Sequence, residues 1–102
     1  MIESFPAESD HAVRLKRAKM RAWRRGMREM DLILGGFIDQ HGASLTSDQL
    51  DAFELLLARK DRDLYDWVSE RKVVPIQDVT ISEHSLISEI RTNWRVFEKN
   101  SP

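Results

Sequence analysis

A chain of 102 residues is the length of one domain with a single shallow core. Its 41% hydrophobic and 32% charged residues describe a folded protein, and the absence of cysteine excludes disulfides, thiol catalysis and cysteine-ligated metal sites. The net charge of -1 hides an uneven division, since 8 of the 16 basic residues lie between Arg14 and Arg28, whereas from Glu29 onward 14 acidic residues stand against 8 basic ones.

Residues 1–9 carry Pro6, two serines and little periodicity, and read as a loose arm. They lack the apolar core of an export signal, which fits a cytoplasmic protein. Ser9 or Asp10 can cap a first helix whose weakly apolar face is Ala12, Leu15, Ala18, Ala22 and Trp23. Gly26 is expected to interrupt or bend that helix, because glycine is poor in helix interiors. Met30, Ile33, Leu34, Phe37, Ile38 and His41 then repeat at helical spacing, placing His41 inward near the end, with Gly42 as the C-cap. Gly35 and Gly36 inside this pattern imply either a close-packed neighbouring backbone or local strain.

Thr46 and Gln49 form a capping box for a third helix with Leu50, Phe53, Leu56 and Leu57 inward. Asp61 can cap a short fourth helix whose apolar face is Leu64, Trp67 and Val68, leaving Tyr65 and Asp66 on its outer side. Val73 to Val79, with Pro75, reads as a linker lacking a partner strand. Thr80 and Glu83 form a second capping box, followed by Leu86, Ile87, Ile90, Trp94 and Phe97 on one face. The expectation is an all-α fold, a small bundle of four or five helices over residues 10–98, with a flexible tail at 99–102. No apolar run approaches the roughly 20 residues needed to span a bilayer.

The most informative segment is Arg25-Gly26-Met27-Arg28-Glu29. Gly26 removes a side chain where basic groups crowd, while Arg25 and Arg28 offer planar forks for carboxylates, phosphates or carbonyls. Glu29 complements the positive end of the second helix and can pair with Arg25 or receive donors from a partner. The same chemistry also fits an ordinary cap with a surface ion pair, which would contribute about 0–1 kcal/mol.

The run from Arg21 to Asp31, continuing to Leu34-Gly35-Gly36-Phe37, resembles the FAD assembly factors of succinate dehydrogenase. Their Arg-Gly-x-x-Glu hallmark is matched by Arg25, Gly26 and Glu29, and a following acidic residue by Asp31. Asp63-Leu64-Tyr65-Asp66-Trp67 resembles a second segment of that family. The resemblance is good over residues 14–69 and weaker in the last helix. It implies a helical assembly chaperone, not an enzyme, that binds the flavoprotein subunit of succinate dehydrogenase or of fumarate reductase and promotes covalent attachment of FAD. Arg25, Gly26, Arg28, Glu29, Asp31, Tyr65 and Asp66 would then contact the client, with Glu29 positioning client groups instead of transferring protons. The FAD would belong to the client, and this chain would bind none stably.

Competing chemistries find less support. His11, His41 and His84 are scattered, no serine, histidine and aspartate are ordered as a nucleophilic triad, and no phosphate-binding loop is present. The basic first helix is the feature that would suit nucleic acid, or an anionic membrane surface. The acidic remainder, the lack of a second basic recognition helix and a thin apolar stripe argue against both. A toxin–antitoxin-type interaction protein is the other alternative left open.

Overall fold

The computed structural model describes residues 10–100; the expected arm over residues 1–9 and the last two residues lie outside them. Helix α1 spans Asp10–Ala22. Helix α2 covers residues 28–41 and is built of Arg28–Met30, a widened π turn at Asp31–Gly35, and Gly36–His41. A short 3-10 turn, Gly42–Ser44, leads to α3, Ser47–Leu57; α4 is Asp61–Val68 and α5 is Ile81–Asn100, with a second 3-10 turn at Ile76–Asp78 between them. No strand occurs among the described residues, so the all-α expectation holds. Nor is any described helix long and apolar enough to cross a membrane.

The helical repeat of α2 puts Met30, Ile33, Leu34, Phe37 and Ile38 in the core. They meet Leu50, Phe53, Leu56 and Leu57 of α3, and the Phe37 and Phe53 rings stack with centroids 6.1 Å apart. Leu64, Trp67 and Val68 of α4 and Leu86, Ile87 and Ile90 of α5 close the core on the other sides. Helix α1 contributes only the small side chains Ala18 and Ala22 as fully buried groups, with Leu15 partly buried against the core, so it lies close against its neighbours but buries little apolar area. Ion pairing supplements it: Arg14 donates through Nε to Glu54 at 3.1 Å and through a terminal nitrogen at 2.8 Å, and also pairs with Asp51.

Both capping boxes form. The Thr46 hydroxyl accepts from the Gln49 amide at 3.1 Å, and the Gln49 side chain accepts from the Thr46 amide at 2.8 Å. At the head of α5 the Thr80 hydroxyl accepts from the Glu83 amide, and the Glu83 carboxylate accepts from the Thr80 amide, each at 3.0 Å. The second box has an additional partner. Arg59 Nε donates to Glu83 at 2.8 Å, its terminal nitrogen donates to the Asp78 carbonyl at 2.8 Å, and its guanidinium lies 5.5 Å from the Trp67 ring centroid. The Glu83 side chain is only 2% exposed, so this pair anchors α5 to the end of α3.

Three expectations are corrected. His41 is exposed, its ring tilted on Phe37 and its Nε2 3.0 Å from Asn93 Oδ1, because the helix tightens into the 3-10 turn just beyond it. Trp94 is half-buried at the core edge and stacks on Phe97, itself 45% exposed, since α5 outruns the helices it packs against after Ile90. Asp66 is 8% exposed instead of outward-facing. Glu70 takes a left-handed φ of 64° that turns the chain back over α4, where the Lys72 amide donates to the Asp66 carbonyl at 3.1 Å.

The Glu83 anchor carries a testable pH dependence. Burial pushes its carboxyl up, but hydrogen bonds from Arg59 and Thr80 outweigh burial and hold it below its ordinary value of 4.5. A depressed carboxyl contributes stability that is complete above the unfolded value and lost as pH falls through the folded one. Acid should therefore destabilise the wild type below that ordinary value, and Glu83→Gln should flatten this limb in denaturation curves taken across pH. Glu83→Ala, which strands Arg59, should lower stability at neutral pH by about 3 kcal/mol.

Candidate functional site

Helix α1 ends where Arg24 N–H donates to the Arg21 carbonyl at 3.3 Å, and Gly26, at φ 95°, reverses the chain into α2. That conformation favours glycine, and nothing lies within 4 Å of where a β-carbon at Gly26 would stand. The turn is closed by Asp31, whose carboxylate accepts from the Arg25 amide at 2.7 Å, and by the Asp31 amide, which donates to the Met27 carbonyl at 3.0 Å. Asp31 thus ties the turn to the second helix from within.

The Arg25 side chain points inward and is only 11% exposed. Its Nε donates to Asp61 at 2.6 Å, one terminal nitrogen to the Arg59 carbonyl at 2.6 Å, and the other to the Leu57 carbonyl. Arg25 therefore caps the C-terminal end of α3 and grips the first residue of α4. A pairing with Glu29, one of the two roles open to that carboxylate in the sequence, does not form, because Asp61 and the helix-end carbonyls hold the guanidinium. Asp61 does not cap α4 with its side chain; Lys60 occupies the N-cap without a side-chain bond.

Trp23 braces the opposite flank. Its indole covers Gly35 so closely that a β-carbon there would overlap the ring, and its N–H donates to Asp39 at 3.1 Å. The glycine inside the helix thus admits a neighbouring ring, not a neighbouring backbone. Trp23 remains 40% exposed, with its other side facing outward.

What the turn leaves outward is a short polar set. Gly26, Arg28 and Glu29 are exposed, and the side chains of Arg28 and Glu29 have no polar partner among the described residues. Helix α4 packs against the first turn of α2, and its Tyr65 is half-buried, with Arg71 5.6 Å from the ring centroid. Asp66 belongs to the turned-in side, 3.7 Å from Lys72. The seven sequence candidates therefore divide: Gly26, Arg28 and Glu29 are presented, Tyr65 is partly accessible, and Arg25, Asp31 and Asp66 are engaged internally.

Asp61 and the carbonyls of Leu57 and Arg59 were not among the sequence candidates. The available signal was that Ala58-Arg59-Lys60 ends α3 without a glycine cap, so its last carbonyls need donors from elsewhere. A separate cleft of about 530 Å³ lies between α2 and α5, lined by Phe37, Gln40, His41, Glu89, Asn93 and Val96 among others. Its histidine is paired with Asn93. Among the described residues no three His, Cys, Asp or Glu side chains are grouped so as to hold a metal ion.

A family model described as the flavinator of succinate dehydrogenase matches residues 16–94. The FAD assembly factor SdhE of Acetobacter pasteurianus is 32% identical over 85 residues, which cover 83% of this chain and 78% of that protein. The FAD assembly factor SdhE of Legionella pneumophila is 49% identical over 45 residues, covering 44% of this chain and 57% of that protein. The mitochondrial succinate dehydrogenase assembly factor 2 of Candida glabrata is 38% identical over 66 residues, covering 62% of this chain and 43% of that protein. No solved structure matches the chain.

The division between inward and outward residues makes opposite stability predictions. Arg25→Ala should cost about 2–4 kcal/mol, and Arg25→Lys should restore little, since a single ammonium does not span the three acceptors. Gly26→Ala should cost about 1–2 kcal/mol through its backbone alone. Arg28→Ala and Glu29→Ala should stay within about 0.5 kcal/mol of wild type in chemical denaturation.

Proposed function

The chain belongs to the succinate dehydrogenase flavinator family, and we propose on that premise that it is an assembly chaperone for the flavoprotein subunit of succinate dehydrogenase. The related subunit of fumarate reductase is a second client of the same kind. The observation that carries this reading is the turn at Gly26. Its two neighbours Arg25 and Asp31 are locked internally, while Arg28 and Glu29 stand outward with their hydrogen-bonding capacity unspent. A rigid turn with free donors and acceptors binds without first having to be ordered, which favours docking.

In this reading Gly26 gives clearance for the client backbone, Glu29 accepts hydrogen bonds from a client loop, and Arg28 donates to client carboxylates or carbonyls. Tyr65 lies at the margin of the contact. Arg25 acts one step behind it, holding the turn in shape. The client then attaches its own FAD, and the chaperone's part is to hold the flavin-bearing subunit in a competent arrangement. It is not an enzyme, it binds no flavin stably, and it works in the cytoplasm. Glu29 positions groups and transfers no proton.

Deleting the gene should abolish or sharply reduce covalent flavin on the succinate dehydrogenase flavoprotein, seen as in-gel fluorescence. Complementation by Glu29→Ala should fail although that variant folds normally. Undiminished flavin fluorescence in the deletion strain would reject the assignment. The purified protein is also expected to show no flavin absorbance.

A further inference from the structure

Beside the docking turn, the end of α1 meets the α3–α4 junction in a shallow recess of about 320 Å³, lined by Arg21, Arg24, Arg25, Arg59, Lys60 and Asp61. Three of these charges are already spent inside the fold. Arg25 pairs with Asp61 at 2.6 Å, and Arg59 pairs with Glu83 at 2.8 Å. Arg21, Arg24 and Lys60 are exposed, and their side chains have no polar partner among the described residues. Like charges gathered at one recess repel one another, and the one acidic residue of its lining, Asp61, is already held by Arg25.

We propose that this recess receives a carboxylate-bearing segment of the flavoprotein client, so that the contact surface runs past Gly26 onto the end of α1. The proposal rests on the client reading above and names a second point of attachment with its own chemistry. Continuity supports it, because Arg24 and Arg25 lead directly into Gly26 and a client seated on the turn lies beside the recess. Ligand chemistry supports it too. Two arginine forks and one flexible ammonium suit carboxylates, which arginine takes two nitrogens at a time.

A polyanionic occupant fits less well. Nucleic acid carries a charge about every 1.7 Å of duplex axis and needs a long basic track. This recess is short, and its neighbourhood carries the exposed carboxylate of Asp63 on α4, near enough to Arg59 to act on its charge. A flat anionic membrane would meet the same carboxylate. An acidic loop of a folded partner needs only the recess.

The experiment measures binding of the purified flavoprotein subunit, lacking covalent flavin, to the wild-type chain and to the combined Arg21→Glu, Arg24→Glu, Lys60→Glu variant, across salt concentrations. All three side chains are exposed, so the variant should melt like the wild type. The combined reversal should weaken binding about 10- to 100-fold and remove most of its salt dependence. Lys60→Glu alone should give a part of this loss, and the control Lys99→Glu at the far end of α5 should give none.

Wild-type binding that the combined reversal leaves unchanged in strength and salt dependence would overturn the recess proposal while leaving the client reading intact. Failure of the wild type itself to bind the subunit would overturn the client reading and the recess with it. Tighter binding of duplex DNA or of phosphatidylserine vesicles than of the flavoprotein, abolished by the reversal, would show that the occupant is not an acidic protein segment.

Discussion

The guanidinium of Arg25 is the knot on which the rest of this small protein depends. It reaches from the turn after α1 to three acceptors at the α3–α4 junction, carbonyls of Leu57 and Arg59 and the carboxylate of Asp61. Each is a group the fold would otherwise leave wanting. The last carbonyls of α3 have no glycine cap, and a carboxylate beside them needs a cation. One planar side chain with several fixed donors meets all of these needs at once. The segment carrying the exposed polar groups is therefore also the segment that ties helices distant in sequence, and its shape is set by the bundle as a whole.

The knot is continued by a second arginine. The carbonyl of Arg59 accepts from Arg25, while its side chain reaches Glu83 and the Asp78 carbonyl. Glu83 completes the capping box at the start of α5. A chain of charge-assisted hydrogen bonds thus runs from the turn at Gly26 to the first turn of the last helix, alongside the apolar core. In a domain this short, where apolar burial is limited, such ties set the relative position of helices whose contacts leave some freedom.

Most of the helices could be read from sequence because their signals are local. The apolar repeat from Met30 to Ile38 and the two capping boxes depend on residues three or four apart, and each appears where its pattern placed it. The contacts that give the turn its character join positions far apart. Nothing near Arg25 in sequence announces Asp61, and nothing near Gly35 announces the Trp23 ring. The outward placement of Asp66 failed for a related reason. Helical periodicity describes a helix facing a core, whereas Asp66 is covered by the chain that folds back after Glu70. The family likeness singled out the turn at Gly26, but only the geometry separates residues that build it from residues it presents.

The way α5 outlasts its core has a consequence for how the molecule opens. Up to Ile90 this helix is pinned by buried side chains; beyond it, the attachments include Arg91 to the Trp67 carbonyl at 2.6 Å, Asn93 Oδ1 to the His41 ring at 3.0 Å, and Arg95 with Glu70. These are surface ties, each weaker than a packed aliphatic layer. Amide exchange should accordingly be graded along a single helix. Protection approaches that of global unfolding near Leu86, then declines turn by turn toward Asn100 through openings that leave the bundle intact.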